Sequence, residues 1–361
     1  MLADKTKQQR LKLYMLLSAI ISIVIVVFIL MFTVDSNTFQ YLSQTKIKYE
    51  FFLVAVLLSI LAWFIWGARI SILSRTLDSR HPVTVFCSTK IVLANLFLAG
   101  ITPSMVGGEP VRIYLLKKEG LNLGCATAVV LSERFIDAVF ILLCIPFAFF
   151  IFQDKIQLNI IRVGILVGII VFLLLIFLFI YAVRNPEKTK SFLIQLEKKI
   201  FRILRKQDTT EQTKIVKTIS QEVDNFHTSM NLFVSHRKKT LVAVGLLTVL
   251  YWCTGFMIPS LLLVGLGLPP MIVESFAAQM ILLIIVMLPI TPGSSGLTEG
   301  GMAALYGMIL GSNYSYLLGV FVILFRFISY HMQVIVGAVF QYKIFRSFTS
   351  VSLESDDNIR T

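Results

Sequence analysis

Charged residues are scarce in this chain. They make up 15% of its 361 residues, against about 25% in a soluble domain. That shortage excludes an ordinary soluble enzyme, and a hydrophobic share of 57% excludes disorder. Cysteine is scarce too. Cys87, Cys125, Cys144 and Cys253 lie in apolar stretches without a CxxC, so they read as buried thiols. His81, His227, His236 and His331 are scattered and form no HxxxH, so neither a metal site nor a cofactor is expected. A Walker phosphate loop is missing, so ATP does not drive the protein directly. The net charge is +13, yet no groove-reading or stacking module accompanies it. No nucleic-acid partner is expected, because basic loops held on the cytoplasmic side of a membrane account for the excess.

What the chain does have is long apolar runs, near 11–34, 51–74, 82–101, 124–152, 160–183, 240–264, 271–288, 296–311 and 314–341. A run of about 20 apolar residues spans the hydrocarbon as a helix. The first run follows Lys5, Lys7 and Arg10, is long, and precedes no small-residue cleavage site. It reads as a permanent span with its N-terminus inside, not as a cleaved signal. Residues 184–239 hold 13 Lys and Arg and 6 Asp and Glu, so this segment belongs in the cytoplasm. Within it, 186–206 and 211–234 have the spacing of basic amphipathic helices, suited to an anionic lipid surface or to a plain cytoplasmic connection. The 35–50 stretch reads as an external loop.

Parity then fails if every apolar run crosses once. It is restored if two of them enter, break and return. Both breaks are visible. Gly100 to Pro110 contains Pro103, Gly107, Gly108 and Pro110, and residues 289–301 contain Pro289, Pro292, Gly293 and Gly296. Such residues end helices. Each break opens on Ile-Thr-Pro and carries a Gly before a Glu, and by parity the two enter from opposite sides. This predicts an inverted repeat, and broken helices in corresponding halves point to a transport site. The expected fold is an all-α polytopic integral membrane protein of about eight helices with two re-entrant segments. Its expected parts are a first membrane half at 1–183 with its break near 101–110, a linker at 184–239, a second half at 240–345 with its break near 289–301, and a polar tail at 346–361. Both termini are expected in the cytoplasm.

Three motifs stand in order: Thr102-Pro-Ser-Met-Val-Gly-Gly-Glu-Pro-Val-Arg112, Leu131-Ser-Glu-Arg-Phe-Ile-Asp137, and Leu288-Pro-Ile-Thr-Pro-Gly-Ser-Ser-Gly-Leu-Thr-Glu-Gly-Gly301. Together they resemble the transmembrane region of lysylphosphatidylglycerol synthases, a flippase-like family. The resemblance implies a helical module that moves aminoacylated phosphatidylglycerol between leaflets of the plasma membrane. In full-length relatives that module is joined to a soluble aminoacyl-transferase domain. The 361 residues show no such domain, so aminoacyl-tRNA chemistry is not expected here unless a separate partner chain supplies it. A phosphatidylglycerol lysyltransferase by family name, or transport of a polyprenyl-phosphate carrier, remain alternatives. The oligomeric state is left open.

The expected substrate-binding residues are Glu109, Arg112, Glu133, Arg134, Asp137, Glu299 and Arg326. Pro110 suits the first turn of a helix, and Thr298 before Glu299 reads as an N-cap with an acid behind it. Free N–H groups at such helix starts favour a phosphate, which Arg112 is placed to fork. Glu133 and Asp137 share a helix face. They pair structurally with Arg112 or Arg326, or they meet a lysyl ammonium. Arg326, with Tyr330 and His331 close by in sequence, must find an acid or a phosphate, since an uncompensated mid-membrane Arg costs at least about 2.5–3.5 kcal/mol. Lys90 and Gln279 are weaker polar marks.

Overall fold

A computed structural model describes residues 36–78, 82–100, 108–152, 170–203 except 171, 172, 175 and 179, 218–231 except 219, 238–286 and 294–341. The expected first span at 11–34, the breaks at 101–107 and 287–293, and the tail at 346–361 lie outside these residues. So do Pro103, Gly107, Pro289, Pro292 and Gly293.

The described chain is helical, with no strand among its described residues. In a bilayer this is what backbone chemistry demands, because a helix satisfies its own N–H and C=O groups where water is absent. A short helix α1 (Ser36–Gln44) is followed by α2 (Tyr49–Leu77), α3 (Val85–Gly100), α4 (Gly108–Lys118) and α5 (Leu123–Phe152). The linker contributes α6 (Pro186–Ile203) and α7 (220–231). The second half runs α8 (Lys238–Gly265), α9 (Ile272–Val286) and α10 (Leu297–Leu310). A 3-10 turn (Ser312–Leu317) then leads into α11 (Leu318–Arg326), a π-helical turn (Phe327–His331) and α12 (332–341). Among the described residues, four stretches are long and apolar enough to cross a membrane: α2, α5, α8 and the compound last span Asn313–Gln341.

The two halves repeat one order of elements. In the first half a 29-residue and a 16-residue helix precede residues 101–107, and an 11-residue and a 30-residue helix follow them. In the second, helices of 28 and 15 residues precede residues 287–293, and a 14-residue helix and a 29-residue span follow them. The leading long helices α2 and α8 form the most extensive helix pair.

Side-chain spacing decides how each helix turns. On α2, Leu53, Leu57, Leu61 and Phe64 are exposed at helical spacing, while Ala55, Ser59, Ala62, Trp66 and Ile70 are buried on the opposite side. The exposed stripe is apolar, as lipid requires. The buried stripe carries small residues, because lipid is as apolar as leucine and helices associate through close packing. At Gly67 a Cβ would stand 2.2 Å from Thr89 Oγ1, and at Gly337 one would stand 2.6 Å from the Leu93 carbonyl oxygen. These glycines bring α3 against α2 and α12 against α3.

The connections gather at two ends. At one, Thr38 Oγ1 donates to the Tyr316 carbonyl at 2.8 Å, Tyr41 OH to the Leu266 carbonyl at 3.1 Å, and Lys48 N–H to the Gly265 carbonyl at 3.0 Å. At the other, Thr76 and Thr240 hydroxyls lie 3.4 Å apart, and Gly124 N–H donates to Glu222 at 2.7 Å.

The structure departs from the sequence pattern in several places. The 35–50 stretch, expected as a loop, contains α1. The helices outnumber the eight expected, since short helices flank both breaks and the linker is itself helical. Helix α10 begins at Leu297 with Gly296 as its cap, so Thr298 is not the N-cap. Its hydroxyl donates instead to the Ser294 carbonyl at 3.0 Å. Gly296 supplies the φ of 90° that this turn needs, and Ser294 adopts a φ of 54° beside it.

Candidate functional site: a ring of buried charges and a shared clasp between the breaks

Six ionisable side chains from α2, α4 and α5 close into a ring of alternating sign. Arg69 meets Asp137 at 2.7 Å. Asp137 meets Arg134 at 3.4 Å. Arg134 Nε donates to Glu109 at 2.8 Å. Glu109 accepts from Arg112 at 3.0 Å. Arg112 pairs with Glu133, and Glu133 Oε1 lies 3.9 Å from Arg69. Three guanidinium groups and three carboxylates leave the ring neutral. Neutrality is what lets it exist here, because an unpaired charge at membrane depth is costly and a paired one far less so.

Local structure supplies the placement. Glu133 and Asp137 are one helical turn apart on α5 and share a face, as their spacing requires. Glu109 and Arg112 are three apart on α4 and pair within that helix. The Trp66 ring lies under both Arg112 and Arg134, at 5.2 and 5.4 Å, and Tyr251 faces Arg69 at 5.4 Å. Trp252 Nε1 donates to Asp137 at 3.1 Å. Arg69, Arg112 and Glu133 are wholly enclosed, whereas the side chains of Arg134 and Glu109 keep 40% and 26% of their surface open. The ring therefore has one accessible edge, formed by Glu109 and Arg134.

The second half holds a simpler pair. Arg326 Nε lies 2.9 Å from Glu299, and its NH2 donates to Ser295 Oγ at 3.2 Å. Glu299 also accepts from the Gly296 N–H at 2.7 Å, so one carboxylate holds both the Arg and the turn before α10. The guanidinium stacks on Tyr330 at 4.2 Å, and Tyr330 OH donates to the Gly100 carbonyl at 3.0 Å. Gly100 ends the helix that leads into the first break. Arg326 and Tyr330 thus fasten the described margins of both breaks to one turn of the last span. Tyr330 lies in the π-helical turn that starts directly after Arg326, a geometry often found at functional positions. His331 Nδ1 lies 3.1 Å from the Arg326 carbonyl within the same turn.

All seven expected charged residues are engaged. Glu109, Arg112, Glu133, Arg134 and Asp137 converge on the ring, while Glu299 and Arg326 form the second pair. Gly108 and Pro110 lie in the first turn of α4, and Gly296 caps α10. Lys90 stands apart, with its ammonium over the Phe86 ring at 4.5 Å. Gln279 Nε2 contacts Met302 Sδ at 3.2 Å and Tyr306 OH at 3.5 Å. Arg69 is the residue that sequence reasoning passed over. Its signal was a lone cation within the apolar run 51–74.

The linker is more than a tether. Val223 and Met230 of α7 are buried, and Ser132 Oγ lies 3.2 Å from Met230 Sδ, next to Glu133. Glu222 accepts the Gly124 N–H at the start of α5, where a carboxylate answers the helix dipole. Lys190 of α6 pairs with Asp224 at 2.7 Å and Glu187 at 3.0 Å, and these hydrogen bonds raise its ammonium pKa above the ordinary lysine value. The amphipathic pattern of α7 thus faces protein.

Comparison with known proteins agrees with this arrangement of motifs. Residues 15–337 match the family described as lysylphosphatidylglycerol synthase TM region. A UPF0104 membrane protein of Archaeoglobus fulgidus is 30% identical over 326 residues, which cover 90% of this chain and 95% of the relative. A UPF0104 membrane protein of Pyrococcus horikoshii is 22% identical over 338 residues, covering 92% and 97%. A third, from Methanocaldococcus jannaschii, is 28% identical over 256 residues, covering 69% and 72%. No solved structure matches the chain.

Proposed function

Because the chain belongs to the lysylphosphatidylglycerol synthase transmembrane-region family, we propose that it is a lipid translocase, moving an anionic or aminoacylated phospholipid such as lysyl-phosphatidylglycerol between leaflets of the cell membrane. The family and the long apolar helices make it a multi-pass membrane protein with a lipid-related role. The observation that carries the finer reading is the clasp. Arg326 and Tyr330 draw the edges of both helix breaks to one point, and broken helices meeting in a bundle suit a headgroup path. The halves 1–183 and 240–345 act as one unit, entering from opposite faces. The linker 184–239 joins them on the cytoplasmic side, and the tail 346–361 follows.

The ring suggests how a headgroup is received. Glu109 occupies the space between Arg112 and Arg134 at the open edge. A lipid phosphate replaces that carboxylate and takes charge-assisted hydrogen bonds from both guanidinium groups. Glu109, released, is then placed to meet the ammonium of an aminoacyl group. The ring itself stays neutral, because one negative group replaces another, and the acyl tails remain in lipid.

The test is leaflet exchange in liposomes that hold purified protein and headgroup-labelled lysyl-phosphatidylglycerol, phosphatidylglycerol or polyprenyl phosphate. The expected result is fast exchange of one lipid class, slowed at least about tenfold in Arg326→Ala and in Glu109→Gln. That factor corresponds to the loss of one charge-assisted hydrogen bond, about 1.5–3 kcal/mol. No exchange of any of the three lipids by protein with intact helical circular dichroism overturns the reading.

A further inference from the structure

Between the ring and the Arg326 pair lies a cavity of about 160 Å³, on the order of five waters at ~30 Å³ each. It is walled by α2, α3, α8, α9 and the last span. Its surface includes Trp63, Trp66, Tyr251 and Trp252 together with the amides Gln279 and Gln333. The indole nitrogens of Trp63 and Trp66 are buried and have no hydrogen-bond partner among the described residues. Their residues are only 7% and 6% exposed. A buried donor left unmatched is costly, so two of them on one cavity call for acceptor oxygens inside it.

The nature of the acceptor follows from the walls. A cation is disfavoured, since the Trp66 ring already faces Arg112 and Arg134 and the Tyr251 ring faces Arg69. An anion is disfavoured as well. Each guanidinium of the ring is already paired with carboxylates, and Asp137, which reaches Trp252 on the cavity wall, is itself negative. An uncharged group with several oxygens fits both constraints. Its hydroxyl oxygens accept from the indoles, its hydroxyl hydrogens donate to amide carbonyls, and its C–H faces lie on aromatic rings. We infer that this cavity receives the uncharged polyol part of a lipid headgroup, a glycerol or a single sugar, while the neighbouring ring handles charge. The inference rests on the lipid-translocase reading and adds a substrate class to it.

The chain contains three tryptophans, and all of them line this cavity. Intrinsic fluorescence therefore reports its contents directly. The full chain is placed in phosphatidylcholine nanodiscs, so that a quaternary ammonium headgroup is always in competition. It is titrated with dihexanoyl phosphatidylglycerol, dihexanoyl glucosyl-diacylglycerol, dihexanoyl phosphatidic acid and free methyl glucoside. A saturable emission shift is expected with the first two lipids and not with phosphatidic acid, which has the phosphate without the polyol. Trp63→Phe and Trp66→Phe keep the ring and remove the N–H. Each should weaken binding roughly threefold to tenfold, the worth of one hydrogen bond. Gln333→Leu, at a half-buried position, should weaken it by a similar factor without touching an indole.

Equal responses to phosphatidic acid and phosphatidylglycerol, or unchanged affinity in both Phe variants, overturn the inference. An equal response to free methyl glucoside overturns the lipid as the source of the polyol. If liposome exchange is fast but no lipid shifts the emission, the cavity holds water only and the translocase reading survives alone. If polyol binding is selective but exchange is absent, the translocase reading falls and the cavity assignment stands.

Discussion

Arg69 is enclosed completely and holds Asp137 at 2.7 Å from within the first long span. Removing one member of a buried ion pair leaves the other charge uncompensated, at a cost of about 3–5 kcal/mol. Arg69→Leu should therefore lower thermal stability in detergent sharply, and adding Asp137→Leu should recover part of the loss. A double variant less stable than the single one would show that Asp137 is not the strained partner. Most of the ring was legible one residue at a time, because an ionisable group in an apolar run stands out. Glu133, Arg134 and Asp137 stand out that way within the run 124–152, whereas Glu109 and Arg112 are marked by the Gly-Gly-Glu-Pro-Val-Arg motif. The pairing was legible in part, since Glu133 meets Arg112 as one of the expected alternatives. Sequence spacing places Glu133 and Asp137 on one face but says nothing of which helix that face meets, so Arg69 on α2 could not be matched to Asp137 on α5. Pairing of Asp137 or Glu133 with Arg326 was a fair expectation, and the structure gives Arg326 to Glu299 instead.

Elements were legible where one property set them. The long helices follow the apolar runs to within a few residues, since length and hydropathy decide a span. The π-helical turn at Phe327–His331 has no such mark. The residues there would serve an α-helix equally well, and its extra residue per turn coincides with the stacking of Arg326 on Tyr330. The fate of α7 was likewise hidden. Its apolar stripe suits lipid or protein alike, and only the fold sets Val223 and Met230 against α5. That docking makes a prediction about the element as a unit. Glu222→Gln removes the charge that answers the α5 N-terminus, a contribution of about 0.5–2 kcal/mol. Amide hydrogen exchange across 220–231 should then quicken by roughly twofold to thirtyfold. Unchanged protection would show that the apolar contacts alone hold α7 in place.

At the scale of the whole molecule, the loops segregate to two ends, and the basic linker lies with one of them. If that end is cytoplasmic, a Thr84→Cys variant should react with an impermeant maleimide only from the cytoplasmic side. Pro270→Cys should react only from outside, both positions being exposed. Labelling of both from one side would contradict the opposed halves. The clasp at Arg326 and Tyr330 has a consequence at this scale too. A single turn of the last span is bonded to Ser295 on one side and to Gly100 on the other. Free energy stored at one attachment is thus shared with the other, and thermodynamic linkage makes that sharing reciprocal. Any ligand that prefers the Ser295 side unfastened must shift the equilibrium at Gly100 by the same factor by which a change at Gly100 alters that ligand's affinity. Two attachments borne by one stretch of helix answer to a single balance.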